Sequence, residues 1–344
     1  MGKRPTLKDV AAAAGVSVAT VDRALNGRET VRPEALRRIA AAAQAVGYHG
    51  APLAEERLRA DQPVCRFGFL LLDEAHQPFF RGLGTGLERE VAGLAGVRGR
   101  SRVDFIGWRD PIAIARRLRE FGRQVDALAA VTIDHPAISA AVADLKGDGV
   151  PVFSLLSDFA PGIREAYVGL NNRKAGRAAA WMIARAAPQV GKVAIIVGSS
   201  RFHGHEMREI GFRSYFREKA PGFEVVDTLV NPGAESLARR ATLELLARHP
   251  DLAGLYVGGL GPEGIIEALR DSGVAGQVIA IANELTPESA EALGDETLTA
   301  VVETPMSGFC RETVGQMLRA ILDGPAPMVG QAFLPFNLVI PESI

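Results

Sequence analysis

The chain has 344 residues, of which 47% are hydrophobic and 6% aromatic, and its formal net charge is -1. This composition is that of an ordinary globular protein with room for two or three domains, and it argues against disorder. No apolar run reaches the roughly 18 residues of a membrane span, and the start lacks the pattern of a signal peptide, so we expect a soluble, cytoplasmic protein with no membrane partner. Without an export signal, Cys65 and Cys310 are expected to be free, buried thiols.

Positive charge is concentrated at the start of the chain. Residues 1–60 hold ten Lys and Arg against six Asp and Glu, whereas the remaining residues hold 29 against 34. A small basic module followed by an acidic body is the charge layout of a nucleic-acid reader joined to a separate sensor or catalytic domain.

Two short helical patterns come first, in "TLKDVAAAAGVSVATVDRALNG" from Thr6. Gly15 permits a turn between them, and Ser17 is placed to cap the second helix. Apolar residues of both segments recur at helical spacing: Leu7, Val10, Ala11 and Ala14, then Val21, Ala24 and Leu25. The following segment, "RPEALRRIAAAAQAVGY", predicts a third helix with Pro33 in its first turn, which completes a three-helix unit.

The second helix is expected to present Val18, Ala19, Asp22 and Arg23 on its outer side. Such a helix fits the major groove of DNA, where Arg can bond to guanine and small apolar groups can touch a thymine methyl. Lys8 and Arg32 are predicted to contact phosphates without regard to base sequence. The alternative is a helical hairpin that binds another protein, which this spacing does not favour.

These segments resemble the DNA-binding headpiece of the lactose-repressor (LacI-type) family of bacterial transcription regulators. The resemblance implies that Val18, Ala19 and Arg23 read bases. It implies that Ser17, Thr20 and Asn26 hold the DNA backbone and the helix. Asp22 departs from the family, which usually has Ser there, and its carboxylate would repel phosphate unless it accepts a bond from cytosine or pairs with Arg23.

A polar segment, "HGAPLAEERLRADQP", follows Tyr48, and its composition predicts a linker that contains a short helical pattern. The resemblance implies a hinge helix that forms on DNA and inserts a Leu from each subunit into the minor groove. Ala54 matches the hinge alanine, but the insertion position is Arg57, with Leu58 one place later. Either Leu58 is the wedge, or Arg57 enters the minor groove through its charge.

The rest of the chain alternates strand-like and helix-like segments, which predicts parallel sheets with helices on both faces. One series runs from "CRFGFLLL" to "VPVFSLL", and a second from "AYVGLNN" to "QVIAIAN". The predicted fold is a helix-turn-helix headpiece followed by a two-lobed α/β domain with a cleft beyond the strand ends. The predicted boundaries are 1–49 for the headpiece, 50–62 for the hinge and 63–344 for the effector and dimerisation domain. Its first lobe covers 63–168 and 305–330, and its second covers 169–304 and 331–344.

This body resembles the periplasmic sugar-binding-protein fold that serves LacI-type regulators as an effector domain. The resemblance implies that Gln77, Phe79 and Phe80 form the first-loop polar group and ring platform, and that four charged residues grip hydroxyls: Asp134, Arg208, Glu284 and Glu303. Aromatic faces pack on sugar C–H groups, and carboxylates and guanidinium form several hydrogen bonds each. Three carboxylates against one guanidinium predict a neutral sugar, polyol or amino sugar rather than an anion.

Two enzyme interpretations compete with this one. "GLGPEG" places Gly259, Gly261 and Gly264 after a strand, with Glu284 downstream, as in a dinucleotide fingerprint. This NAD(P)-binding alternative has the weakness that such glycine matches arise often in α/β loops. "FHGHE" contains His203, His205 and Glu206, but the i, i+2 spacing of the histidines does not suit a metalloprotease helix.

No catalytic arrangement is visible, so no enzyme activity, cofactor or metal is predicted. We expect a transcriptional repressor that works as a homodimer on a pseudopalindromic DNA site, because one headpiece reads only one half-site. Its partners are double-stranded DNA and a small carbohydrate-like effector.

Overall fold

The computed structural model describes residues 4–26, 31–60, 62–73, 78–231, 235–259 and 261–344. Contacts divide the chain into two units. The first contains residues 1–65 and 92–100, and the second contains residues 66–91 and 101–344.

Four helices form the first unit: α1 (Leu7–Ala14), α2 (Val18–Asn26), α3 (Pro33–Ala45) and α4 (Ala51–Ala60). Thr6 and Asp9 close the start of α1, with the Thr6 amide donating to the Asp9 carboxylate at 2.7 Å. Gly15 takes a left-handed conformation (φ 63°) that ends α1 and turns the chain into α2. The Arg38 side chain of α3 donates to the Gly15 carbonyl at 3.0 Å and so ties the third helix to this turn.

The predicted three-helix core is confirmed, and α4 adds to it. Val10, Val21 and Ile39 are fully buried at its centre. Ala54 of α4 is fully buried in the same cluster. Most of the segment predicted as a linker is therefore a helix that packs on the headpiece through its alanine.

The first sheet of the second unit carries six strands in the order β12-β5-β4-β3-β1-β2. These are β1 (Val64–Leu72), β2 (Arg98–Ile106), β3 (Ala127–Ala130), β4 (Val152–Leu155), β5 (Ala166–Leu170) and β12 (Gly330–Leu334). Helices α5 (Pro78–Ala92), α6 (Pro111–Gly122), α7 (Pro136–Gly147) and α13 (Met306–Asp323) belong to this lobe. β1 and β3 are paired in parallel, with Phe67 opposite Ala127.

The second sheet is ordered β13-β11-β10-β9-β6-β7, with β8 beside β6. Its strands are β6 (Lys192–Val197), β7 (Glu224–Val225), β8 (Leu229–Val230), β9 (Leu252–Val257), β10 (Ile279–Asn283), β11 (Ala300–Glu303) and β13 (Asn337–Val339). The helices of this lobe are α8 (Asn172–Ala186), α9 (His203–Lys219), α10 (Glu235–Arg248), α11 (Glu263–Asp271) and α12 (Pro287–Gly294), and a short 3-10 turn, Pro341–Ser343, follows β13. One face of the sheet packs on α8 and α9 through residues such as Ile183 and Phe212, and the other packs on α10 to α12 through Leu245 and Ile265.

The chain crosses between the two sheets at places that differ from two predicted boundaries. β5, predicted to open the second series, pairs in parallel with β4 in the first sheet, with Phe153 opposite Ala166 and Leu155 opposite Val168. β12, predicted to lie in the second lobe, pairs with β5 in the first sheet, so the last crossing falls between Leu334 and Asn337. The hydrophobic pattern of β5 and β12 is compatible with either sheet. Only their hydrogen-bonded pairing shows that both strands belong to the first sheet.

Cys65 and Cys310 are both buried, as predicted, and they are not joined in a disulfide. Among the described helices, none is both long and apolar enough to cross a membrane.

Candidate functional site

The outer face of α2 is an exposed surface of mixed chemistry. Val18, Ala19, Arg23 and Asn26 are exposed, while Val21, Ala24 and Leu25 hold the opposite face in the core. Arg23 lies along the helix, with its Nε donating to the Ala19 carbonyl at 3.3 Å. The predicted outward set therefore lies on one side of one helix.

The start of α2 is fixed by Ser17, as predicted. The Thr20 amide donates to the Ser17 hydroxyl at 3.2 Å, and the two hydroxyls are 2.8 Å apart. Asp22 accepts a bond from the Asn26 side chain at 2.7 Å, one turn further along. The Asp22 carboxylate thus has a partner within α2, an arrangement that neither expected role for this residue had included.

Cations flank this face. Lys8 and Arg32 are both exposed, Lys8 in the first turn of α1 and Arg32 immediately before α3. The side chains of Arg57 and Leu58 lie outside the described part of α4, so both hinge alternatives stand as predicted.

A cavity lies between the two lobes, at the carboxyl ends of their strands. Its walls include the end of β1, the start of α5, the segments after β3 and β4, the first turns of α9 and the residue after β10. The apolar lining is Leu72, Phe79, Phe80, Val131, Leu156 and Phe202, and the rest is Ser157, Gly204, His205, Arg208 and Glu284. Ligands of open α/β sheets bind at this edge.

Arg208 is positioned by the close packing of α8 against α9. A Cβ on Gly176 of α8 would lie 2.0 Å from the Arg208 carbonyl, so the helices approach at a distance that only glycine permits. The Arg208 side chain then donates from Nε to Asn172 Oδ1 at 2.8 Å and from Nη1 to the Gly258 carbonyl at 2.8 Å. Two bonds orient the guanidinium, and further N–H groups remain for other acceptors.

Glu284 faces Arg208 from the end of β10. Its backbone is left-handed (φ 67°), a strained conformation for a non-glycine residue that often marks functional sites. The carboxylate accepts from the Thr304 amide at 3.0 Å and hydroxyl at 2.8 Å, and lies 3.9 Å from Arg208 Nη2. Burial raises the pKa of Glu284, and Arg208 opposes that shift.

His205 contributes a neutral ring to the cavity. Burial, with the nearby Arg208 cation second, lowers the pKa of His205 to about 3. Its Nδ1 accepts from the Ser199 amide at 3.3 Å, so Nε2 carries the proton and is a donor. The structure places His205 in the first turn of α9, on the cavity wall.

Contacts between described residues join the lobes around the cavity. The Asp134 amide donates to the Arg201 carbonyl at 3.2 Å, and the Gly204 amide donates to the Ser157 hydroxyl at 3.1 Å. The rings of Trp108 and Phe202 are 5.5 Å apart. We call the Trp108–Phe202 pair the aromatic clasp.

The predicted effector residues divide into three groups. Phe79, Phe80, Arg208 and Glu284 meet at the cavity. Gln77 lies outside the described residues. Asp134 and Glu303 do not line the cavity: Asp134 is exposed and accepts from the Ala160 amide at 3.0 Å, and Glu303 accepts from Asn337 at 2.9 Å.

Of the three carboxylates expected at the cleft, only Glu284 therefore lies at the cavity wall. A strand-end position alone does not say whether an acidic side chain turns into the cleft or back to the chain beside it. The sequence also failed to indicate three residues that do line the cavity, because nothing in their local pattern distinguishes them from other loop residues. These are Leu156, Ser157 and Phe202.

The glycine fingerprint has a packing explanation in this fold. A Cβ on Gly264 would lie 2.1 Å from the Glu235 carbonyl, and one on Gly259 would lie 2.4 Å from the Gly198 amide. Gly261 has φ 76°. These glycines permit close backbone approach and a turn, and Glu284 is directed to Thr304 and Arg208, so the dinucleotide alternative is not favoured. In the histidine motif "FHGHE", His203 and Glu206 form a pair at the surface, with His203 Nδ1 3.5 Å from Glu206 Oε2.

Comparison with known proteins matches both units. A model of the periplasmic binding protein domain matches residues 113–324, and a model described as bacterial regulatory proteins, lacI family, matches residues 6–50. The chain belongs to the LacI family. Like other LacI-family proteins, it is a DNA-binding transcription regulator with a periplasmic-binding-protein-like domain.

Two regulators are similar to this LacI-family chain along much of their length. The HTH-type transcriptional regulator GalS of Salmonella typhimurium is 26% identical over 275 residues, 78% of this chain and 76% of that protein. The HTH-type transcriptional regulator CelR of Thermobifida fusca is 27% identical over 360 residues, 98% of this chain and 96% of that protein. Among solved structures, a solute-binding protein of Agrobacterium vitis with bound D-fucose superposes with a TM-score of 0.72 at 19% identity, covering 80% of this chain and 96% of that one. That likeness establishes the fold.

Proposed function

We propose that this regulator senses a small neutral sugar or polyol held in the cavity between its lobes. The observation that supports this proposal most directly is the buried Arg208–Glu284 pair, which is oriented by hydrogen bonds and lies opposite Phe79 and Phe80. Polar groups that are already oriented can grip hydroxyls at little entropic cost, and aromatic faces pack on C–H groups.

The charges at the cavity favour a neutral ligand. Arg208 and Glu284 offset each other, and His205 is neutral because of its lowered pKa. An anionic sugar phosphate or sugar acid would lose hydration and gain no unpaired cation among the described lining residues. An amino sugar would face one carboxylate rather than three, so it ranks below a neutral ligand.

The proposed mechanism is linkage between the two sites. Effector binding favours the closed lobes, closure changes how the two hinge segments of a homodimer are held, and affinity for DNA changes by the coupling free energy. We propose a cytoplasmic repressor that acts without catalysis, with a headpiece of residues 1–49, a hinge of residues 50–62 and an effector domain from residue 63. A dimer suits a pseudopalindromic site because each headpiece reads one half.

A thermal-shift screen tests this function. Neutral sugars, polyols, amino sugars, sugar acids and sugar phosphates are added to the full-length protein, and each hit is then titrated into a fluorescence-anisotropy assay with operator DNA. We expect a neutral compound to raise the melting temperature and to change DNA affinity. Tight binding of a sugar phosphate, retained in Arg208→Met, would overturn both the ligand class and the site.

The hinge requires a separate measurement. If Leu58 enters the minor groove, Leu58→Ala reduces DNA bending, whereas if Arg57 is the inserted residue, Arg57→Ala does so. Gel mobility on circularly permuted DNA measures the bend, and unchanged effector binding is the control. Unchanged bending in both variants would remove insertion from the mechanism.

A further inference from the structure

The two lobes contribute different chemistry to the cavity. Among the described lining residues, the first lobe supplies one hydroxyl, from Ser157, and apolar surface from Leu72, Phe79, Phe80, Val131 and Leu156. The second lobe supplies a guanidinium, a carboxylate and an imidazole, with Phe202 at the edge. A ligand between these walls meets a polar side and an apolar side.

The polar atoms on the first-lobe side are largely engaged within the protein. The Leu156 carbonyl accepts from Tyr167 at 3.1 Å and from Asn172 at 3.0 Å. The Ser157 oxygen accepts from the Gly204 amide at 3.1 Å, which leaves its hydrogen as a donor. Asp134, the acidic residue expected here, accepts from Ala160 and stays outside the lining.

We propose that the effector is an amphipathic sugar that lacks a hydroxyl on the side turned toward the first lobe, that is, a deoxy sugar. This inference rests on the proposed function and narrows it. A hydroxyl pressed against Phe79, Phe80 and Val131 gives up its hydrogen bonds to water, and those three side chains offer it none in return, whereas a methyl or methylene group there removes apolar surface from water.

On the second-lobe side of the cavity, ligand hydroxyls meet groups that can form hydrogen bonds with them. Arg208 retains N–H groups beyond those bonded to Asn172 and Gly258, and His205 offers Nε2–H. Each oxygen of Glu284 accepts one bond from Thr304 and has capacity for another. The cavity thus discriminates between the two faces of one ring.

Matched sugar pairs test this proposal by isothermal titration calorimetry on the full-length protein. The pairs are D-fucose with D-galactose, L-rhamnose with L-mannose, and 2-deoxy-D-ribose with D-ribose. We expect the deoxy member of at least one pair to bind about 10- to 100-fold tighter, the range that one unfavourable hydroxyl produces in an apolar pocket.

A variant of the wall separates hydroxyl recognition from general affinity. Val131→Thr replaces a wall methyl by a hydroxyl at nearly constant volume, and it should reduce the preference for the deoxy member several-fold. Val91→Thr, a buried change in α5 away from the lining, is the matched control and should leave the preference unchanged. Melting temperatures of both unliganded variants report whether each one folds.

The outcomes distinguish this inference from the function on which it rests. If the fully hydroxylated member binds equally well or better in every pair that binds, the deoxy proposal is wrong and a sugar effector stands. If no neutral sugar or polyol of the thermal-shift screen binds, these six included, while operator DNA still does, the sugar effector and this inference are both overturned. A preference for the deoxy member that Val91→Thr reduces as much as Val131→Thr would also overturn it, because the wall would not be its source.

Discussion

The outer face of α2 and the cavity between the lobes are built in opposite ways. The α2 surface comes from a few neighbouring positions of one helix, and every outward side chain is set by helical spacing. The cavity combines residues from Leu72 to Glu284, which several elements of both lobes bring together, and its charged groups are buried. A contiguous surface tolerates change one side chain at a time, whereas a buried network fails as a unit.

Arg208→Met should produce the largest effect and tests that difference directly. It removes a buried cation and leaves Glu284 without its partner, a loss of roughly 3 to 5 kcal/mol in the free energy of unfolding of the effector domain. Effector binding should disappear while DNA binding by α2 survives. Arg239→Met, which breaks the exposed pair with Asp271, should cost no more than about 1 kcal/mol.

The double variant Arg208→Met with Glu284→Gln keeps this test interpretable. It removes the uncompensated charge, so part of the lost stability should return while effector binding stays absent. Urea unfolding and calorimetry measure the two quantities. Normal effector binding by the double variant would mean that the pair is structural and that the ligand is held elsewhere.

The pH dependence of stability should isolate His205. Its folded pKa of about 3 lies below the ordinary value of 6.5, so the unfolded state takes up a proton first as the pH falls. The stabilising contribution is complete above about pH 6.5 and is lost progressively toward pH 3. Between pH 7 and pH 5 the loss is about 2 kcal/mol, from roughly 1.4 kcal/mol per pH unit.

His205→Gln removes that dependence. Glu284 acts in the opposite direction, because its raised pKa favours the folded state as the pH falls, so the difference between wild type and variant is the informative quantity. Equal slopes of unfolding free energy against pH in the two proteins would show that His205 does not carry the effect. His203→Gln, a change at a half-exposed ring on the same helix, is the matched control.

On the DNA side, Arg23→Ala should weaken specific binding by about 1 to 3 kcal/mol and relax selectivity at one base position. Lys8→Ala and Arg32→Ala should weaken binding to all sequences alike and flatten the dependence on salt. Binding to operator and random DNA across a salt series distinguishes the two behaviours. Equal losses on both DNAs for Arg23→Ala would contradict base reading by α2.

The same contrast explains what the sequence predicted. The helices and core of the headpiece could be predicted from the sequence almost completely, because Gly15, Ser17 and the apolar spacing act within a few residues of one another. The two-lobed fold followed from alternating segments, but the predicted boundary at residue 168 cut through β5, and β12 was placed in the second lobe, because pairing is not encoded in one strand's pattern.

At the cavity, the resemblance pointed to Arg208 and Glu284, and both side chains lie on its wall; their contact with an effector stays a prediction. It could not tell that Asp134 and Glu303 turn to nearby backbone and side-chain donors instead. Only the assembled cleft shows which acidic groups keep an open side.

The smallest expected effect concerns the aromatic clasp, which joins the two lobes at the edge of the cavity. An aromatic pair of this kind contributes about 0.5 to 1.5 kcal/mol beyond the surface it buries, so Trp108→Leu should speed effector release roughly two- to tenfold. The chain has two tryptophans, and the other, Trp181, is 48% exposed on α8. Fluorescence should therefore change on effector binding in wild type and in Trp181→Phe, but not in Trp108→Leu. If Trp181→Phe alone abolishes the change, the clasp does not report closure. If release from Trp108→Leu is as slow as from wild type, the buried polar network holds the lobes together by itself.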